Sequence, residues 1–179
     1  LTLTGHTGAI RAVQWSPDGM KLATASDDST VIIWHAVTGS KLIQLRGHID
    51  NVVDVSWCPD GRKIVSASND KTAIIWNAGS GALLYTLRKH IDAVKSVKWS
   101  PDTTKIATGS SDEDAIIWDT SGRELFMLAE HVNDISALDW SPDGTILATA
   151  GADAKAILWD AITGLKINSM LFCFNRGFR

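Results

Sequence analysis

Cysteine is nearly absent from this chain. Cys58 and Cys173 are the only two, too few and too far apart for a metal motif or a disulfide framework. Two thiols without a framework suit a reducing, intracellular compartment, the cytoplasm first, with the nucleus left open. A preponderance of one charge is missing too. Seventeen Lys and Arg stand against 20 Asp and Glu, a net charge of −3, and the two signs alternate along the chain. No basic stripe offers itself to phosphates, so nucleic acid is not an expected partner. No apolar run is long enough to span a membrane, and no membrane partner is expected either. No signal peptide is visible, although the chain starts at Leu1 rather than Met, which weakens any inference from a missing targeting segment. The glycines sit in turn sequences without the strand-to-helix context of a phosphate loop, and no cofactor is implied.

Tryptophan, by contrast, is abundant, and it is periodic. His6, His48, His90 and His131 each stand 28 residues before Trp34, Trp76, Trp118 and Trp159, and nine residues before Trp15, Trp57, Trp99 and Trp140. All eight tryptophans, all four prolines and four of the five histidines fall on this frame, whose period is 42, 42 and 41 residues. Self-similarity at that period is the signature of a repeat architecture. The expected organisation is one segment over 1–173, with repeats at about 5–46, 47–88, 89–129 and 130–171, and a non-repeat tail at 174–179.

Each repeat reads as four strands. In the first, the fourth and seventh residues after the histidine are apolar (Ile10 and Val13, Val52 and Val55, Val94 and Val97, Ile135 and Leu138), and the ninth is tryptophan. Positions four and seven differ in parity, so a straight strand would send them to opposite faces; a β-bulge is expected between them. A turn follows: SPDG at Ser16–Gly19 and Ser141–Gly144, CPDG at Cys58–Gly61. Cys58 replaces the serine of the other copies. Proline presets φ and glycine accepts the left-handed position. The third copy, Ser100–Thr103, ends in threonine, and a change of turn type is expected there. A second strand of small residues comes next, as in Leu22–Ser26. The third is wholly apolar (Val31–Trp34, Ala73–Trp76, Ala115–Trp118, Ala156–Trp159), which calls for cover on both faces. A more polar fourth strand reads as an outer edge. A single sheet cannot cover both faces of its own third strand. Four-stranded antiparallel sheets stacked radially can, which is an all-β, β-propeller arrangement with four blades present.

These residues resemble the WD-repeat family. The resemblance spans Leu1 to about Leu171 and rests on Gly5-His6 and Gly47-His48, the SPDG turns, the segments Ser26, Asp28, Thr30 and Ser68, Asp70, Thr72, and the closing Trp118-Asp119 and Trp159-Asp160. Departures include Lys89-His90, Glu130-His131, Trp34-His35, Trp76-Asn77, and Gly151 in place of the serine. The resemblance implies structural hydrogen-bond tetrads: His6, Ser26, Asp28 and Trp34; His48, Ser68, Asp70 and Trp76; His90, Ser110, Asp112 and Trp118; and His131, Asp153 and Trp159 without a serine hydroxyl. Such a buried chain stabilises only when every member is satisfied. The resemblance further implies a scaffold that binds partner proteins or peptides through the loop-rich narrow face. The positions it marks are Arg11, Ala9 and Asp27; Val53, Asn51 and Asn69; Lys95, Ala93 and Ser111; and Ser136, Asp134 and Ala152.

Ser, His and Asp together invite a hydrolase reading, but a triad needs one exposed nucleophile, and here the trio recurs with a tryptophan each time. Architecture needs one set per repeat, and the expectation is no enzyme. His35, the only histidine off the frame, has no second ligand at a ligand-like spacing and is expected to face solvent. Four repeats fall short of the seven or eight that complete rings of this family resemble. Leu1–Thr4 align with the end of an outer strand, and past Leu171 the frame decays into a phenylalanine-rich tail. An open arc is therefore expected, read as a segment of a longer ring whose missing blades lie in a parent chain, or as half of a ring closed by a second copy.

Overall fold

The computed structural model describes residues 2–171 of the 179, so the tail and Cys173 lie outside the described residues. Sixteen strands form four separate four-stranded antiparallel sheets, each from consecutive strands in simple up-and-down order, and no helix is present among the described residues. The first sheet holds Ile10–Trp15 (β1), Lys21–Ser26 (β2), Thr30–His35 (β3) and Lys41–Arg46 (β4). The second holds Val52–Trp57 (β5), Lys63–Ser68 (β6), Ala73–Asn77 (β7) and Leu83–Leu87 (β8). The third holds Val94–Trp99 (β9), Lys105–Ser110 (β10), Asp114–Asp119 (β11) and Glu124–Ala129 (β12). The fourth holds Ile135–Trp140 (β13), Ile146–Gly151 (β14), Lys155–Asp160 (β15) and Lys166–Leu171 (β16). The first strands pack in chain order, β1 against β5, β5 against β9, β9 against β13. This is an open arc of propeller blades.

The expected bulge is present in all four first strands. Register slips between Ile10 and Ala12, Val52 and Asp54, Val94 and Ser96, and Ile135 and Ala137. One extra residue at that point brings positions four and seven onto one face. A second irregularity, not anticipated, recurs where the third strand meets the fourth, next to Trp34, Trp76, Trp118 and Trp159.

The core is three clusters, one between each pair of consecutive sheets. Small residues of one sheet (Ala23, Ala25) receive bulky residues of the next (Val52, Val55, Trp57). Burial of a valine- or leucine-sized side chain is worth about 1.5–3 kcal/mol, so stacking, more than any single sheet, holds the arc together. Val31–Trp34 are buried throughout, as a third strand covered on both sides must be.

One expectation, the change of turn type in the third sheet, fails. Thr103 keeps the turn of its glycine counterparts: its φ is +64°, against +70° to +72° at Gly19, Gly61 and Gly144, and its amide donates to the Ser100 carbonyl at 3.0 Å as Gly19 does to Ser16 at 2.9 Å. Side chains over-determine the loop. Asp102 accepts from the Ser100 hydroxyl at 2.6 Å and from the Thr104 amide at 3.0 Å, and Ser100 Oγ accepts from the Lys105 amide at 2.8 Å. Thr2–Thr4, which align with the end of an outer strand, form no strand, because an outer strand needs a third strand of its own sheet to pair with. As the expected open arc requires, Ile10, Val13 and Trp15 are exposed where their counterparts in the other sheets are buried, no sheet standing before β1 among the described residues.

Candidate interaction face

Antiparallel order puts the start of each first strand, the end of each second and the start of each third at one edge of the sheet. Two connections meet there, the loop carrying the histidine and the tight turn carrying the aspartate. In the first sheet His6 Nδ1 lies 2.8 Å from Asp28 Oδ2 and His6 Nε2 lies 2.8 Å from Thr24 Oγ1, while Trp34 Nε1 donates to the same hydroxyl at 2.8 Å. The pattern recurs with His48, Asp70, Ser66 and Trp76; with His90, Asp112, Thr108 and Trp118; and with His131, Asp153, Thr149 and Trp159. An ionised carboxylate only accepts and an indole N–H only donates. One tautomer therefore satisfies every member: indole to hydroxyl, hydroxyl to Nε2, and Nδ1–H to carboxylate.

This corrects the hydroxyl. It comes from Thr24, Ser66, Thr108 and Thr149, not from Ser26, Ser68 and Ser110, and the fourth sheet lacks nothing. Residues two apart in a strand share a face, so both hydroxyls point the same way. The later one lies at the turn instead. Ser26, Ser68 and Ser110 Oγ accept from the amides of Asp28, Asp70 and Asp112 at 3.0–3.2 Å, and the Ser68 and Ser110 hydroxyls donate to the carbonyls of Asp50 and Asp92 at 3.1 Å. A signal was available: a hydroxyl stands ten residues before the closing tryptophan in all four repeats, whereas the later serine is missing from the fourth.

The aspartates also tie the two connections together. Asp28 accepts from the Thr7 amide at 2.9 Å, the Thr30 amide at 3.0 Å and the Thr30 hydroxyl at 2.6 Å. Burial pushes its carboxyl up, but the Thr30 hydroxyl, the Thr7 amide and His6 outweigh that and bring it down to about 2. Asp70 is lowered further by the same balance, burial against His48 and Thr72, and Asp112 and Asp153 are lowered as well, burial being offset by their histidines and turn amides. Gly47 has its own reason: a Cβ there would come within 2.9 Å of the Trp76 ring.

The candidate contact positions lie at this edge. The residue before each aspartate donates its amide to the third residue after the histidine: Asp27 to Ala9, Asn69 to Asn51, Ser111 to Ala93, Ala152 to Asp134, at 2.8–3.0 Å. Arg11 is exposed and paired with Asp27, its Nε donating to Oδ1 at 2.7 Å and its Nη2 to Oδ2. Two contacts cross between sheets: Lys95 Nζ donates to Asn69 Oδ1 at 3.2 Å, and Ser111 Oγ to Asp134 Oδ2 at 2.9 Å. Val53 is half-buried against the second cluster, and Ser136 is exposed, its hydroxyl 3.4 Å from the Ala150 carbonyl. Side-chain contacts thus link the second sheet to the third and the third to the fourth. Arg11 is neutralised in part by its partner, leaving a patch of mixed polarity.

Chemically, the histidine sets do little. The hydroxyl beside each His and Asp is buried and accepts from an indole, so no substrate reaches it as a nucleophile. His35 is half-buried rather than fully solvent-facing; its Nδ1 accepts from the Thr38 amide at 3.3 Å within the β3–β4 turn. Among the described residues no group of three His, Cys, Asp or Glu is placed to hold a metal ion.

Comparison with known proteins agrees with this geometry. The family model "WD domain, G-beta repeat" matches four times, at residues 1–35, 39–77, 81–119 and 122–160. Its second unit runs from the outer strand of the first sheet through the third strand of the second, so the sequence unit straddles two sheets. A 40-residue segment, 22% of this chain, is 52% identical to Protein Mut11 of Chlamydomonas reinhardtii. A match of 40 residues, 22% of the chain, is 40% identical to the guanine nucleotide-binding protein subunit beta of Arabidopsis thaliana. A stretch of 34 residues, 19% of the chain, is 62% identical to the probable cytosolic iron-sulfur protein assembly protein 1 of Mycosarcoma maydis. These matches span 11%, 11% and 8% of the relatives' own lengths.

Proposed function

Four matched repeats covering most of its length make this chain a member of the WD40 family, and from that premise we propose that it is a non-enzymatic scaffold binding partner proteins or peptides through the edge just described. The observation that carries this is the pair of polar side-chain contacts crossing sheet boundaries, Lys95 to Asn69 and Ser111 to Asp134, on loops held from beneath by four satisfied hydrogen-bond sets. Recognition concentrates on loops positioned by a rigid scaffold. Relatives named as a G-protein β-subunit and an assembly protein suit a role in holding proteins together. The mixed charge of Arg11, Asp27, Lys95 and Asp134 favours a polar peptide surface over a polyanion such as nucleic acid. We place the chain inside the cell, in the cytoplasm or nucleus. Cys58 is a buried free thiol that burial and neighbouring Asp60 push up to about 12, packed as a serine substitute.

The test compares Arg11→Glu, Lys95→Glu and Arg123→Glu. Arg123 pairs with Asp119 in a β3–β4-type turn of the third sheet, at the opposite edge. Partners recovered by quantitative proximity labelling with the unaltered chain should fall at least several-fold with either of the first two and hold with the third, at unchanged melting temperature. Equal loss in all three, or in none, rejects this face.

A further inference from the structure

The corner where an outer strand meets the histidine loop is filled differently from sheet to sheet. In the third sheet Lys89, just before His90, places its Nζ 3.0 Å from Glu124 Oε2 at the start of β12. In the fourth, Glu130, just before His131, places its Oε2 2.7 Å from Lys166 Nζ at the start of β16. The same two positions of the second sheet hold Gly47 and Leu83. Leu83 opposes Trp76 as Glu124 opposes Trp118 and Lys166 opposes Trp159. Glycine and leucine form no ion pair, and a hollow of about 100 Å³ remains, lined by Ile49, Thr72, Leu83, Thr86 and Arg88, with Asp70 in its wall. It lies on the side of the second sheet that faces the first, where Ile74 shares a core cluster with Ala25 and Leu45. The hollow is therefore open with a neighbouring sheet already in place.

The lining decides what fits. The volume is below the roughly 300–1,000 Å³ of cofactor and small-molecule sites, so the occupant is a single side chain. Arg88 is exposed, and its guanidinium has no carboxylate partner among the described residues. Ile49 and Leu83 beside it are 89% and 47% exposed. The amides of Ile49 and Thr72 already donate to Asp70, at 3.1 Å and 3.0 Å, so they are not free to cradle a phosphate. One planar guanidinium instead matches one carboxylate, through two parallel N–H donors. The Asp70 side chain is 5% exposed, and its four donors, His48, Ile49 and the amide and hydroxyl of Thr72, offset its charge.

We propose that this hollow takes an acidic side chain of a partner peptide, flanked in the peptide by aliphatic residues. The carboxylate accepts from Arg88 and from the Thr86 hydroxyl, and the flanking residues cover Ile49 and Leu83. In the third and fourth sheets the chain supplies its own acid at this corner, Glu124 and Glu130; in the second the partner supplies it. That the occupant is a peptide rests on the scaffold reading above, but none of the lining residues is among the contact positions given there.

Amide and guanidinium NMR spectra of the isotope-labelled 179-residue chain, titrated with acetyl-Leu-Glu-Leu-amide, its glutamine counterpart and inorganic phosphate, provide the test. The glutamate peptide should shift the Arg88 Nε–H and the Ile49 and Thr86 amides saturably. The glutamine peptide should bind about tenfold more weakly, the loss of a charged hydrogen-bond partner. Arg88→Gln should erase the difference between the peptides. Leu83→Glu, which sets a carboxylate beside Arg88 within the chain, should abolish binding of the glutamate peptide. Arg62→Gln, on the β5–β6 turn at the opposite edge, should leave it intact. All three positions lie on the surface, and unchanged melting temperatures verify the fold. Equal binding of the two peptides overturns the proposal, as does the absence of saturable shifts. Phosphate that saturates the same resonances more tightly than the glutamate peptide overturns it too. Binding that is lost with Arg88→Gln but kept with Arg11→Glu and Lys95→Glu supports the hollow even if the contact positions fail, so the two readings are separable.

Discussion

Asp70 shows what the recurring histidine set contributes. Its carboxylate accepts from His48 Nδ1 at 2.8 Å, the Ile49 amide at 3.1 Å, the Thr72 amide at 3.0 Å and the Thr72 hydroxyl at 2.6 Å. All four contacts favour the charged form, so the folded carboxyl sits below its unfolded value of about 3.9. A depressed carboxyl contributes stability that is fully present above the unfolded value and lost as pH falls through the folded one. With Asp28 at about 2, the melting temperature should drop between about pH 4 and pH 2. Asp70→Asn should cost about 1–3 kcal/mol at neutral pH and flatten part of that acid limb, the gap to the unaltered chain narrowing toward pH 2. Melting curves that stay parallel over the whole range would remove the charged set from the account of stability. The closing tryptophans differ in kind from those nine residues after the histidine. Trp76 Nε1 donates to Ser66, whereas Trp57 and Trp99 Nε1 have no acceptor among the described residues; those two are specified by volume.

Within one sheet, the four Ser/Cys-Pro-Asp turns isolate the cost of a side chain at positive φ. A left-handed backbone costs a non-glycine residue roughly 1–2 kcal/mol, and Thr103 accepts it because Ser100 and Asp102 hold the loop from both sides. Thr103→Gly should therefore stabilise the chain by about 0.5–1 kcal/mol, once the larger unfolded-state entropy of glycine is subtracted. Gly19→Thr should destabilise it. Chemical denaturation reads both, and a destabilising Thr103→Gly would show that the threonine makes a contribution of its own. The turn after each second strand bears the same strain without any glycine: Ser29, Lys71, Glu113 and Ala154 all have φ between +61° and +74°. The neighbouring aspartate accepts from the amide just after each turn and from one in the histidine loop, which holds the backbone there.

Across the whole molecule, cohesion comes from stacking, reinforced by a few side chains that cross from sheet to sheet. Asp54 is the clearest. It accepts from Ser96 Oγ at 3.1 Å, the Val97 amide at 3.0 Å and Lys98 Nζ at 3.2 Å, all on the next sheet. Its counterpart in the first sheet, Ala12, makes no such bridge. Asp54→Ala would leave the Val97 amide without this partner in a buried strand, and should cost about 1–3 kcal/mol. Amide exchange across Val94–Trp99 should accelerate more than across Ile135–Trp140. Uniform acceleration would mean that the bridge holds no particular boundary.

The frame of histidines and tryptophans, the four strands per repeat and the bulge in each first strand were legible in the sequence, because period and parity are local properties: position four and position seven cannot share a face without an extra residue. The candidate edge was legible as a set of positions through the family resemblance. What stayed hidden depended on neighbours in space. Thr24 and Ser26 point to the same face, and only the approach of the His6 loop decides which hydroxyl it reaches. Thr103 looked incompatible with its turn, and only the hydrogen bonds around it show why the turn persists. Asn69 with Lys95 and Ser111 with Asp134 meet across sheet boundaries that no periodicity encodes. The apolar pattern of Ile10, Val13 and Trp15 is the same as that of Val52, Val55 and Trp57. Burial is decided by whether a sheet stands in front, and that is a property of the assembled arc rather than of the residues themselves.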